Sequence, residues 1–170
     1  MKKFYLKQKV FSMRDSFQVF DENQKTVYHA HAKMFSIKRQ YRIYRSVDET
    51  LLFTMRRRIF SFLPTYELFN AKEEQVALMR NRFAAFKNRI DIEAGEDVYY
   101  LEGSVWAHSF TISSNNQIVL AVRKKILAWG DTYEIEVEDA ADIDKMIAFV
   151  IMIDSIYHRK KSKQSSRYRR

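Results

Sequence analysis

Cysteine is absent from the 170 residues. That excludes a disulfide framework, a thiolate nucleophile and any Cys-based zinc or iron–sulfur centre, and it suits a reducing compartment. Glycine occurs three times and proline once, so the turns must draw on other residues. Asn23, Asn115 and Asn116 are suited, because Asn tolerates left-handed backbone better than most residues. Pro64 falls just before a strand beginning near Tyr66, where a missing N–H costs little. The opening Met1-Lys2-Lys3-Phe4-Tyr5-Leu6-Lys7-Gln8-Lys9 has no apolar run of signal-peptide length. No nucleophile elbow, paired-carboxylate motif or phosphate-cradling glycine loop is present. A non-enzyme without cofactor is therefore expected.

What is abundant is apolar and aromatic side chain, 46% and 15% of the chain, enough for one domain with a substantial core. The net charge of +9 is unevenly placed. Residues 158–170 carry Arg159, Lys160, Lys161, Lys163, Arg167, Arg169 and Arg170 and no acid. Without these seven, 23 Lys/Arg face 21 Asp/Glu, a balance of only +2. The domain is expected over 1–158, followed by a disordered basic tail over 159–170.

A unit of aromatic, alternating apolar residues, polar turn and apolar strand recurs from Phe17, Tyr41, Tyr66 and Phe110. A further pair spans Phe86–Ile92 and Val98–Glu102, joined through Ala94-Gly95-Glu96-Asp97. Period-two alternation with β-branched and aromatic residues predicts strands. With Phe4–Lys9 and Thr132–Glu138 the total is about a dozen. A helical reading of Glu73–Lys87 competes through Val76, Met79, Arg80 and Phe83, but the alternation favours a strand.

From Asp142 the period changes. Ile143, Met146, Ile147, Phe149, Val150, Ile151, Met152, Ile153 and Ile156 leave no polar face in the middle of a helix expected over 142–158, so it must be buried. About 15 residues reach roughly 22 Å, short of a ~30 Å hydrocarbon core. A helix is about 10–12 Å wide, and about twelve strands closed on themselves can house one. The expected fold is mainly β: an antiparallel barrel of about twelve strands enclosing its own C-terminal helix.

This pattern resembles the LURP-one-related family of the tubby C-terminal-domain-like superfamily, which includes phospholipid scramblases. The resemblance is carried by Arg123-Lys124-Lys125 leading into Trp129-Gly130-Asp131-Thr132-Tyr133-Glu134-Ile135, by Leu101-Glu102-Gly103 and by Ile147–His158. It implies the twelve-stranded barrel around a hydrophobic helix. It further implies a module that binds anionic phospholipid headgroups at the cytoplasmic membrane surface. A regulatory or nucleic-acid-associated role is the alternative, with nucleic acid engaged only through the basic tail. The chain is expected to act as a monomer.

Four basic clusters could supply the contacts. Within them Arg56 and Arg58, Arg80 and Arg82, and Arg123 and Lys125 are two apart, so each pair shares a strand face. These six are the candidate headgroup-binding residues, since guanidinium groups grip phosphate bidentately. His29 and His31 also share a face, but no nearby acid or Cys completes a metal site. The acids Glu136, Glu138, Asp139, Asp142 and Asp144 lack the ligand alternation and central glycine of an EF-hand; at a helix start they complement the macrodipole. Trp129-Gly130 is read as a corner. Asp154 stands out within the apolar helix and is expected to meet a barrel-wall Arg or Tyr, or the barrel mouth.

Overall fold

The structure, a computed structural model, describes residues 1–9, 16–32, 40–83, 88–105, 108–127 and 130–167. Side chains are described for all of these except 8, 9, 82, 83, 88, 89, 126, 127, 130, 131 and 156–167. Twelve strands precede one helix. They are β1 (Lys2–Lys9), β2 (Ser16–Phe20), β3 (Thr26–Ala32), β4 (Gln40–Arg45), β5 (Thr50–Arg57) and β6 (Thr65–Asn70). There follow β7 (Gln75–Phe83), β8 (Asn88–Ala94), β9 (Asp97–Ser104), β10 (Ser109–Ser114), β11 (Gln117–Leu127), β12 (Gly130–Val137) and α1 (Ile143–Arg167). Each strand pairs antiparallel with the next, and β12 pairs with β1 to close the barrel. Closure removes the exposed edges that an open sheet would present.

Alternation decides which residues face inward. Across β2–β3 and β4–β5, Phe17 opposes Ala30 and Ile43 opposes Phe53. Across β7–β8, Met79 opposes Ile92, and across β11–β12 Val122 opposes Ile135. All of these are buried. Met146 through Ile153 of α1 fill the lumen and are themselves buried. Among the described residues no helix is long and apolar enough to cross a membrane.

Local chemistry sets the turns. Asn115 and Asn116, at φ 51° and 61°, form the β10–β11 turn as expected. In the β2–β3 turn the positive φ falls on Gln24 rather than Asn23, whose N–H is instead held by the Asp21 carboxylate at 2.9 Å. Gly103, at φ 109°, is required by contact: an added Cβ would lie 2.6 Å from the Ser109 carbonyl oxygen on β10. The segment that could read as helix is strand β7 from Gln75, because Ala77 and Met79 alternate inward against Leu68 and Tyr66. Trp129 lies outside the described residues.

Asp142 caps α1, its carboxylate accepting the Lys145 N–H at 3.1 Å, which satisfies a donor that the first turn leaves open. Asp144 then ties the helix start to the wall, accepting from Tyr28 Oη at 2.7 Å and Arg45 Nη2 at 2.5 Å. Burial, with the Asp144 carboxylate beside it, holds the Tyr28 hydroxyl well above the ordinary tyrosine value. The helix runs on to Arg167, past the end expected at 158, so 159–167 is helical backbone rather than coil. The core turns have already met the cost of nucleation, Lys, Arg and Gln are good helix formers, and cations favour a helix C-terminus.

Candidate anion-binding surface

The two ends of the barrel differ in charge. The starting end of β1 carries the turns after β2, β4, β6, β8 and β10 and the link into α1. These connections hold Asp21, Glu22, Asp48, Glu49, Glu73, Glu74, Glu96, Glu138, Asp139 and Asp142 against only Lys25 and Lys72. The opposite end is basic. The backbone of all six candidate residues lies toward it, because β5, β7 and β11 each run to that end, although the Arg56 guanidinium reaches back to Glu73 in an acidic-end turn. Arg57 and Lys124 add exposed positive charge there. The cationic part of α1 also leaves through this mouth, since the helix starts beside Tyr28 and Arg45 at the acidic end and passes Met55 and His108 at the other. Sequence reading missed this polarity. Its signal is that acids recur in the connections after β2, β4, β6, β8 and β12, visible only once connections are sorted by end.

The six candidates do not form one pocket. β5 and β7 are separated only by β6, so Arg56, Arg58, Arg80 and Arg82 share one arc of the wall. β11 lies six strand positions from β5 in either direction, so Arg123 and Lys125 are on the far side. The six candidates therefore lie on two separate arcs of the wall toward one mouth. The reason is topological: in a closed meander, distance in sequence becomes distance around the circumference.

Carboxylates engage five of the six. Arg56 pairs with Glu73 and lies over the Phe69 ring, 4.4 Å from its centroid. Arg58 donates to Glu67 from both Nη2 at 2.5 Å and Nε at 3.1 Å, and Arg80 pairs with Glu93. Lys125 Nζ donates to the buried Glu134 carboxylate at 2.6 Å, which holds the ammonium above its ordinary value. Arg123 makes the loosest of these contacts, 3.8 Å to Glu136. The side chain of Arg82 lies outside the described set; its backbone pairs with Arg89 on β8. Pairs between exposed side chains are individually weak and solvent-screened, whereas releasing Lys125 would leave the buried Glu134 carboxylate without this partner.

Asp154 and Asn81 are among the polar residues that are interior near the basic mouth. Asp154 is 4% exposed, with Oδ1 3.7 Å from Nδ1 of His108, whose ring stacks on Tyr133 at 3.9 Å. Asp154 thus meets a histidine from the β9–β10 turn. Asn81 is 1% exposed on the inner face of β7, and its side-chain amide makes no hydrogen bond among the described residues. His29 and His31 lie outside the barrel with ring centroids 5.0 Å apart. His29 bonds Ser46 at 2.9 Å and approaches Glu49 at 3.4 Å. The described residues contain no group of three or more His, Asp or Glu placed to hold a metal ion.

Comparison with known proteins agrees with this architecture. A Bacillus subtilis (strain 168) protein titled "Uncharacterized protein YxjI" is 23% identical over 158 residues, covering 93% of this chain and 95% of that one. An Arabidopsis thaliana protein solved by X-ray crystallography superposes with a TM-score of 0.68 at 13% identity, covering 92% of each chain. It shares the fold. The LURP-one-related family model matches residues 2–154, all twelve strands and the buried part of the helix, and the chain belongs to the LURP-one-related family.

Proposed function

We propose that this barrel is a non-catalytic module that binds anionic phospholipid headgroups at the cytoplasmic face of a membrane. The observation that carries the reading is the axial separation of charge, with acidic turns at one end and a basic mouth at the other through which a cationic helix emerges. Partly committed cations on two arcs suit a flat anionic surface better than a single headgroup. Each Lys or Arg close to an anionic leaflet contributes about 1 kcal/mol, so the cations of 159–170 add up to a salt-sensitive association. Arg56, Arg58, Arg80, Arg82, Arg123 and Lys125 contribute mainly to the field that orients the barrel, basic mouth toward the bilayer.

Liposome flotation tests this. Binding is expected to phosphatidylcholine vesicles containing phosphatidylglycerol and not to phosphatidylcholine alone. It should weaken as salt shortens the Debye length and fall when the chain is ended at His158. Equal flotation on both vesicle types, or none on either, sinks the proposal.

A further inference from the structure

The β5–β6 connection departs from what a soluble turn ordinarily looks like. Its Ser61 hydroxyl, with that of Thr65 at the start of β6, bonds within the turn, while its aromatic side chains stand in solvent. Ser61 Oγ bonds the Leu63 carbonyl oxygen and lies 2.7 Å from Thr65 Oγ1, which itself donates to Leu63 O at 2.9 Å. The backbone is clamped on both flanks, by Arg58 N to Thr65 O at 3.0 Å and by Asn81 N to Pro64 O at 3.1 Å. Phe60 and Phe62 stand outside this frame at 94% and 111% relative exposure, with Ile59 at 47%. Together with Met1, Val47, Val98, Tyr100 and Ile118 they complete the large exposed hydrophobic residues among those described, and no other connection exposes two phenylalanines among the described residues. Isolated exposed apolar residues are ordinary, but two fully exposed aromatics one residue apart on a hydrogen-bonded turn mark an interaction site.

Its position identifies the partner. The turn lies at the basic mouth, directly after Arg56-Arg57-Arg58, at the end from which the cationic helix segment emerges. Aromatic side chains flanked by cations match a bilayer with anionic headgroups, where rings enter the acyl boundary and cations remain among phosphates. We propose that Phe60 and Phe62 form a wedge that inserts into an anionic phospholipid bilayer, with Arg57 and Arg58 at the headgroup level. This rests on the membrane-binding reading above and names the element that enters the bilayer. Pre-built turn geometry serves insertion because little ordering entropy remains to be lost.

The cysteine-free chain permits a single-site test. Phe62→Cys carries the only thiol and can take a nitrobenzoxadiazole fluorophore; Asn23→Cys, in a turn at the acidic end, is the control. With phosphatidylcholine–phosphatidylglycerol vesicles the label at 62 should shift to the blue and be quenched by a lipid-borne quencher, while that at 23 should do neither. Phe60→Ser/Phe62→Ser should weaken vesicle partitioning about tenfold or more and leave the urea midpoint unchanged. Vesicle binding that persists with no change at position 62 overturns the wedge and leaves the charge-based reading standing. Absence of binding to acidic vesicles overturns both. Dimers in light scattering that the double Ser variant abolishes, with vesicle binding untouched, would make a second copy the occupant and also overturn the wedge.

Discussion

Two phenylalanines in one chain test whether the lumen and the turn have been placed correctly. Phe149 is buried at 0% exposure in the middle of α1, its ring 5.4 Å from Tyr99 and inclined at 67°. Phe149→Ala removes the whole ring from a packed lumen, and strands on all sides limit how far the site can collapse. Such truncations cost about 3–5 kcal/mol, of which the edge-to-face pair accounts for about 0.5–1.5. Against a total stability of about 5–15 kcal/mol, that is a large fraction. Phe62→Ala, at a fully exposed position, should lie within about 0.5 kcal/mol of the parent. Urea denaturation followed by circular dichroism measures both, and the m-value should stay constant, since each variant exposes nearly the same surface on unfolding. A Phe149→Ala cost below about 1 kcal/mol, or a Phe62→Ala cost approaching that of Phe149→Ala, would refute the enclosed helix and the outward turn respectively.

Tyr28 gives a pH signature. Its folded-state pKa lies above the ordinary 10.0 because of burial and the hydrogen bond it donates to Asp144, so the unfolded chain releases that proton first. The stabilisation is therefore complete below about pH 10 and declines as pH rises further. Tyr28→Phe should be less stable at neutral pH by about 2 kcal/mol and show a shallower decline above pH 10; urea midpoints across that range decide it, and parallel curves contradict the assignment. Asn81→Leu should stabilise the barrel by about 1–3 kcal/mol, because it removes a buried amide with no described hydrogen bond. A loss of stability in that variant would mean the amide is satisfied in solution.

The fold was legible because each element carried its own period. The alternation of Phe17, Val19, Tyr28 and Ala30 marked inward faces of β2 and β3, and the unbroken apolar stretch from Met146 to Ile153 could only be a buried helix. Charge on residues 159–167 misled the boundary at 158, because composition speaks to whether a segment folds alone and not to whether it continues a helix already nucleated. The site was less legible. Strand parity gave Arg56 with Arg58, and Arg123 with Lys125, a common face, and each of the four meets a carboxylate. It could not give the number of strands between them, nor the acids opposite. His108 was hidden for a different reason: its link to Asp154 depends on where the helix stops along the lumen.

The evenness of the strand count ties architecture to charge. β1 begins at the acidic end, where Lys2 opposes Val137, and twelve antiparallel strands return the chain to that same end after β12. A helix packed on the outside could have left the cationic segment at either end. Threaded through the lumen, it has one exit, and that exit is the end where Arg57, Arg58 and the β5–β6 turn stand. An odd number of strands would start the helix at the basic mouth and deliver 159–167 among the acidic turns, where it would fold back onto carboxylates rather than project. The same parity gathers most of the acidic connections at one end, since turns after even-numbered strands share that end and those after odd-numbered strands the other. Lumen and surface are thus linked: the apolar helix that completes the core also carries its basic extension to the end opposite the acidic turns.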